Sequence, residues 1–164
     1  MTGRLVPLLL ALVFVLPAGA ATGVPRCHTD GLRVYLLDGN GAAGTITGDL
    51  GFRNASSHLC FVYGHPGLGL EDSHHRVMPS RVTWGSTRAR RDPGAHRVVL
   101  APGKAAFANF SYGDVPVGNE HCRPSAWLEV TPPDERTHRL LPFRGLVCNH
   151  GHLTVTALSA TRTR

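Results

Sequence analysis

Thr45-Ile46-Thr47-Gly48-Asp49-Leu50-Gly51-Phe52-Arg53 is the stretch whose reading decides the fold class of this chain. Laid out as a strand, it places Ile46, Leu50 and Phe52 on one face and polar groups or glycine on the other, the period-two pattern of a half-buried β-strand. Asn54-Ala55-Ser56-Ser57 then supplies a turn, because asparagine and serine side chains bond the backbone of their own reversal. Upstream, Leu32-Arg33-Val34-Tyr35-Leu36-Leu37 reads as a strand closed by Asp38-Gly39-Asn40-Gly41.

Downstream the same grammar repeats. Runs at Leu59 to Tyr63, Leu68 to Leu70, Arg81 to Trp84, Arg97 to Leu100, Ala105 to Tyr112, Ala126 to Val130, His138 to Leu141 and Leu153 to Leu158 are rich in β-branched, aromatic and aliphatic residues. Gly64-His65-Pro66-Gly67, Ala101-Pro102-Gly103-Lys104 and Thr131-Pro132-Pro133-Asp134 separate them with chemistry that continues neither a strand nor a helix. No long window carries the i, i+3, i+4, i+7 apolar repeat of an amphipathic helix. The expectation is an all-β domain, an antiparallel immunoglobulin-like β-sandwich of about nine short strands.

Arg4 precedes an apolar run from Leu5 to Leu16 and the small-residue stretch Pro17-Ala18-Gly19-Ala20-Ala21. Residues 1–20 therefore read as a secretory signal peptide, the run being well short of the roughly 20 residues a membrane helix needs. Residues 21–164 are then one domain with its core roughly at 27–159, expected to be secreted or extracellular and able to associate with the cell envelope. With no cysteine at the cleavage point and no second long apolar stretch, neither a lipid anchor nor a membrane span is expected in the mature form.

Cys27, Cys60, Cys122 and Cys148 are an even set in a chain with an export signal, which reads as two disulfides. Three pairings are open, and Cys27–Cys60 with Cys122–Cys148 is favoured because each would join segments that lie beside one another. The absence of any C-x-x-C argues against structural zinc. The chain carries ten histidines and a net charge of +6 with those histidines neutral. That excess favours anionic partners without naming one.

Taken in order, Cys27 with Leu32-Arg33-Val34, Gly48-x-Leu50-x-Phe52-Arg53-Asn54-x-Ser56 leading to Cys60, and Gly64-His65-Pro66-Gly67-Leu68 form a recognisable string. It continues through Leu100-Ala101-Pro102-Gly103, Cys122, Leu128-Glu129-Val130-x-Pro132-Pro133 and Cys148 before Leu153-Thr154-Val155. In these features the chain resembles the secreted actinobacterial domain-of-unknown-function family 4232. The resemblance implies a secreted or envelope β-sandwich with two disulfides, and it carries over no catalytic residue.

Two clusters invite a site. In Cys148-Asn149-His150-Gly151-His152, an extended backbone would project His150 and His152 to one side and begin a Cu(II), Ni(II) or Zn(II) site, with His74, His75 and His121 as completing ligands. The plainer reading makes them exposed turn histidines. The stretch from Trp84 to His96 reads as an exposed basic loop in which Arg88, Arg90 and Arg91 could meet an anionic extracellular or cell-wall partner. Trp84 itself is expected to pack in the core or at an edge.

Glu71-Asp72 and Asp134-Glu135 read as solvated turn acids. No nucleophile elbow, H-E-x-x-H helix or phosphate loop is present, so an enzyme is not expected. Export leaves no role for nucleic acid. The leading expectation is a non-enzymatic binding or envelope-interaction module without a cofactor; the alternative is a small extracellular metal-binding protein using its surface histidines.

Overall fold

The computed structural model describes residues 23–162, so the signal-peptide reading of residues 1–20 lies outside the described residues. The described chain is all-β. Its strands are β1 (Leu32–Ala42), β2 (Thr45–Asn54), β3 (Cys60–Tyr63), β4 (Gly67–Glu71), β5 (Val77–Met78), β6 (Arg81–Trp84), β7 (Arg97–Leu100), β8 (Ala105–Gly113), β9 (Arg123–Thr131), β10 (Arg139–Val147) and β11 (His152–Val155). Two 3-10 turns, Thr29–Gly31 and Asn149–Gly151, complete the set. No helix among the described residues is long and apolar enough to cross a membrane.

The strands form a five-stranded sheet in the order β1-β2-β8-β11-β6, a four-stranded sheet β10-β9-β4-β5, and the pair β3-β7. All three feed one apolar cluster, which includes Phe52, Val62, Leu70, Val98, Phe110, Val130, Phe143 and Leu153. β2 lies at its centre, with Leu50 and Phe52 fully buried. Its opposite face is covered as well: Asp49 is buried, and Tyr35 occupies the space a side chain on Gly51 would need. The half-buried strand read from the sequence is thus buried on both sides, because charged and aromatic side chains from elsewhere close over its polar face.

Three local readings need correction. Asp38-Gly39-Asn40-Gly41 does not end β1, which continues through a bulge between Leu37 and Asn40 and reverses at Ala43-Gly44, both with positive φ (50° and 74°). That is the two-residue hairpin geometry whose twist matches its strands. β10 runs past Leu141 to Val147, tolerating Pro142 because it is an edge strand with a register shift between Pro142 and Gly145. The expected antiparallel order also fails between two strands, since β11 pairs with β6 in parallel, and the isolated bridge of Arg26 with Phe61 is parallel as well.

The physical cause of that parallel pair is a shared crossing. The chain steps from the four-stranded to the five-stranded sheet twice, once from β5 to β6 through Pro79-Ser80 and once from β10 to β11 through the 3-10 turn. The two crossings touch where Gly151 lies against the Pro79 carbonyl, at a φ of 76° that favours glycine. They run in the same direction, so the strands they deliver do too.

The disulfides join Cys27 to Cys60 and Cys122 to Cys148. The first fastens the N-terminal segment to β3, beside the backbone bonds from Cys27 N–H to the Phe61 carbonyl (2.8 Å) and from Phe61 N–H to the Pro25 carbonyl (2.9 Å). Asn54, fully buried, completes this corner. Its amide donates to the His58 and Leu100 carbonyls (2.8 and 2.9 Å), and its Oδ1 accepts from the Ser56 N–H and hydroxyl (2.9 and 2.7 Å). Four bonds saturate one side chain that ties together the ends of β2, β3 and β7. Asn54→Ala should cost about 2–4 kcal/mol, since it leaves buried carbonyls without donors; urea unfolding of the oxidised protein measures it, and a loss below about 1 kcal/mol would contradict this role.

Candidate metal centre

Strand alternation sorts β4 and β9 into an inner and an outer row. Leu68 and Leu70 pair with Val130 and Leu128 toward the core, which leaves Gly69 opposite Glu129 and Glu71 opposite Trp127 on the outer face. Glu129 leans across Gly69: a Cβ there would lie 3.3 Å from its Cβ, Cδ and Oε2. The missing side chain is what lets Glu129 approach Glu71.

His138, just before β10, closes the group. One ligand atom from each of Glu71, Glu129 and His138 lies within 4.8 Å of the other two, and His138 Nδ1 is 3.5 Å from Glu129 Oε1. Metal–ligand bonds of about 2.0–2.2 Å need these atoms to close by only about 1 Å, which the exposed His138 can supply by side-chain rotation.

A fourth residue stands behind Glu71. The β4–β5 connection is organised by Asp72, whose Oδ1 accepts from the N–H groups of His74 and Arg76 (2.8 and 3.0 Å) and whose Oδ2 accepts from Arg76 Nε (2.7 Å). The Arg76 N–H does most to hold the Asp72 carboxyl down at a pKa of about 2. This loop sets His75 at φ 58°, stacks its ring on Trp127 (centroids 4.8 Å apart) and brings Nδ1 within 3.0 Å of Glu71 Oε2. With its proton on Nδ1, His75 donates to Glu71 and orients it, as partners behind metal ligands commonly do.

Most of the other acids are held by arginine or by backbone N–H groups, although Asp92, Glu120 and Glu135 also meet histidines. Asp49 faces Arg162 at 2.9 Å and Arg90 at 3.6 Å, Asp72 faces Arg76, and Asp134 pairs with Arg26. Glu135 holds the N–H and hydroxyl of Thr29 at 3.0 and 2.9 Å. Among the described residues, the ion-pair partners of Glu71 and Glu129 are histidines alone. Two carboxylates this close repel when both are ionised, and a divalent cation between them relieves the repulsion.

The sequence-based pair, His150 and His152, is not assembled. The segment is not extended: Asn149, His150 and Gly151 all have positive φ (52°, 54° and 76°), and the N–H groups of Asn149 and His150 converge on the Glu120 carboxylate at 2.6 and 3.0 Å. His150 points to solvent with its Nε2 3.8 Å from Glu120. His152 heads β11, with Nε2 on the Thr83 hydroxyl (2.8 Å) and Nδ1 facing the Asn149 amide (3.4 Å). Burial, with Arg81 nearby, lowers its pKa. Of the other candidates, His75 reaches the Glu71 cluster, while His121 lies with His150 at a separate cavity.

The basic loop is likewise tied down. Arg88 and Arg91 are exposed, but Arg90 turns inward to Asp49, the Thr87 hydroxyl bonds Asn109, and the Asp92 carboxylate accepts from the Ala157 N–H (2.7 Å) and meets His65 Nε2 (3.0 Å). Trp84 ends edge strand β6 with 63 % of its surface exposed, its ring stacked on His65 at 5.4 Å.

Arg90→Ser should therefore cost about 1–2 kcal/mol, a charge-assisted contact to a buried carboxylate. Arg88→Ser and Arg91→Ser should stay within about 0.5 kcal/mol of the parent, and equal effects from all three would refute the assignment. Burial disfavours ionised Asp92, yet the Ala157 N–H, His65 and the Gly94 N–H outweigh it and lower the pKa. Its unfolded value is the ordinary one of about 3.9, so this contribution is full above that value and is lost as pH falls below it. The stability gap between parent and Asp92→Asn should accordingly be constant from pH 7 to about 5 and close in stronger acid. Urea midpoints across pH measure it; a gap that persists unchanged in strong acid would show that charge is not the cause.

Sequence reasoning took Glu71 for a solvated turn acid, whereas it is buried at the end of β4, and passed over Glu129 and His138, because the meeting of the three depends on the β4–β9 register. The one local signal was Glu129 alternating outward in an apolar strand, beside a glycine-bearing partner strand. No curated protein and no solved structure matches this chain. Over residues 27–159 it matches the family described as Domain of unknown function (DUF4232), a span that takes in both disulfides and every strand, and the chain belongs to that family.

Proposed function

We propose that this protein is an exported, non-enzymatic binding module whose site is a divalent transition-metal centre formed by Glu71, Glu129 and His138, with His75 orienting Glu71. The carrying observation is that two carboxylates, one of them buried, lie within 4.8 Å of each other and of an imidazole, with histidines as their ion-pair partners among the described residues. A mixed imidazole and carboxylate set suits Zn(II), Cu(II) or Ni(II) better than calcium or magnesium, which take oxygen donors. His138 and Glu129 supply the accessible ligands, and Glu71 is the fixed one.

Export is supported by the apolar leader at residues 5–16 and by two disulfides, which belong to oxidising compartments. The shared core of the five- and four-stranded sheets supports the immunoglobulin-like sandwich as the scaffold. A non-enzymatic role is supported by the engagement of Asp134 and Glu135 in structural contacts with Arg26 and Thr29. Arg88 and Arg91, being exposed, are what such a module offers to anionic wall material.

Calorimetric titration of the oxidised protein with Zn(II) and Cu(II) tests the reading. One ion per chain is expected, with Glu129→Gln and His138→Ala each weakening binding tenfold or more. His75→Phe, which keeps the stacking on Trp127 and removes the bond to Glu71, should weaken it by about 10–100-fold. His150→Ala with His152→Ala should leave it unchanged. Equal binding by the parent and the Glu129→Gln and His138→Ala variants, with all thermal midpoints alike, would refute the centre.

A further inference from the structure

On the other side of β4 from Glu71 lies a cavity of about 300 Å³. Its floor is core: Leu70 and Met78, paired across β4 and β5, with Val147 from the end of β10. One wall is the 3-10 turn Asn149–Gly151, and the Cys122–Cys148 disulfide fastens that wall to the start of β9.

The wall is strained and deliberately held. Two successive non-glycine residues, Asn149 and His150, sit in the left-handed region, a conformation that persists only when its surroundings enforce it. Glu120 does so, accepting from the N–H groups of Asn149, His150 and Val117 at 2.6, 3.0 and 3.2 Å with 7 % of its side chain exposed. Those bonds, the Asn149 N–H foremost, lower its pKa and keep it ionised. Its charge is thereby directed into the turn. Glu120 also lines the cavity, its carboxylate turned to these N–H groups and 3.8 Å from His150 Nε2, and the exposed polar side chains of the lining are Arg123, His121 and His150.

An apolar floor beside the exposed guanidinium of Arg123 selects a ligand with an apolar body and one negative head. At about 30 Å³ per water-sized unit, the volume accommodates about ten heavy atoms, and it stands at the lower end of small-molecule pockets. We propose that this cavity binds a small amphipathic carboxylate, its hydrocarbon against Leu70, Met78 and Val147 and its carboxylate at Arg123. Straight-chain and aryl carboxylates share that chemistry.

The test is a titration of the oxidised, metal-free protein with octanoate and with 3-phenylpropionate, followed by amide chemical shifts. Saturable binding of at least one is expected, with shifts at residues 147–151 and around Met78, and the tighter of the two identifies the source. Octanol and octylamine should bind at least tenfold more weakly. Arg123→Glu, a surface change, should weaken the carboxylate tenfold or more, and Met78→Trp should abolish binding by filling the floor. If Met78→Trp fails to fold, Arg123→Glu alone decides. Octylamine binding as tightly as octanoate, no saturable carboxylate binding, or unchanged affinity in Arg123→Glu would overturn the proposal. None of these outcomes bears on the metal centre, whose ligands lie on the opposite face of β4.

Discussion

The antiparallel ladder between β2 and β8, from Thr45 opposite Gly113 to Arg53 opposite Ala105, is the constraint on which the other elements depend. It is the middle of the larger sheet, and both of its faces are buried where it matters. On the core face Leu50, Phe52, Ala106, Ala108 and Phe110 exclude water, and Gly48 leaves room for the Phe110 ring. On the opposite face Asp49 and Asn109 sit side by side, bonded at 2.7 Å, and collect Arg90, Arg162 and Thr87. A slip of one residue would send Asp49 into the core and Leu50 out of it, so the register has no close competitor.

Polar groups then fasten the loops to that ladder. Asn54 closes the corner where β2, β3 and β7 end, Asp92 anchors the long loop after β6 to Ala157, Glu120 holds the left-handed turn before β11, and Glu135 receives the first 3-10 turn at Thr29. In each case a side-chain oxygen or amide meets backbone groups that no strand satisfies, the arrangement that buried backbone requires. Glu71 and Glu129 stand apart from this pattern, because among the described residues no backbone N–H bonds either carboxylate and their ion-pair partners are histidines.

Much of the fold was readable because its signals are local. Alternation identified the strands, glycine and proline marked most reversals, and an even set of four cysteines announced two bridges. Where reading failed, a distant contact had overruled a local one. Asn40-Gly41 looks like a turn, but the bulge after Leu37 and the close pass of Gly39 against Thr47 carry β1 onward to Ala43-Gly44. Residues 148–152 look extended, but the Glu120 carboxylate and the crossing of Gly151 over Pro79 wind them left-handed and part the two histidines.

By itself, then, the sequence determined the class of the molecule: a chain of short strands, two disulfides and membership in one family, all of which rest on periodicity, turn chemistry and residue order. The tertiary structure alone decided the sites. Glu71 and Glu129 are 58 positions apart in number and meet only because β4 and β9 pair with Gly69 opposite Glu129. The cavity beside Met78 exists only because two crossings between sheets pass at Gly151. A binding site is a coincidence of side chains in space, and in a β-protein that coincidence is fixed by inter-strand register, which no local pattern encodes.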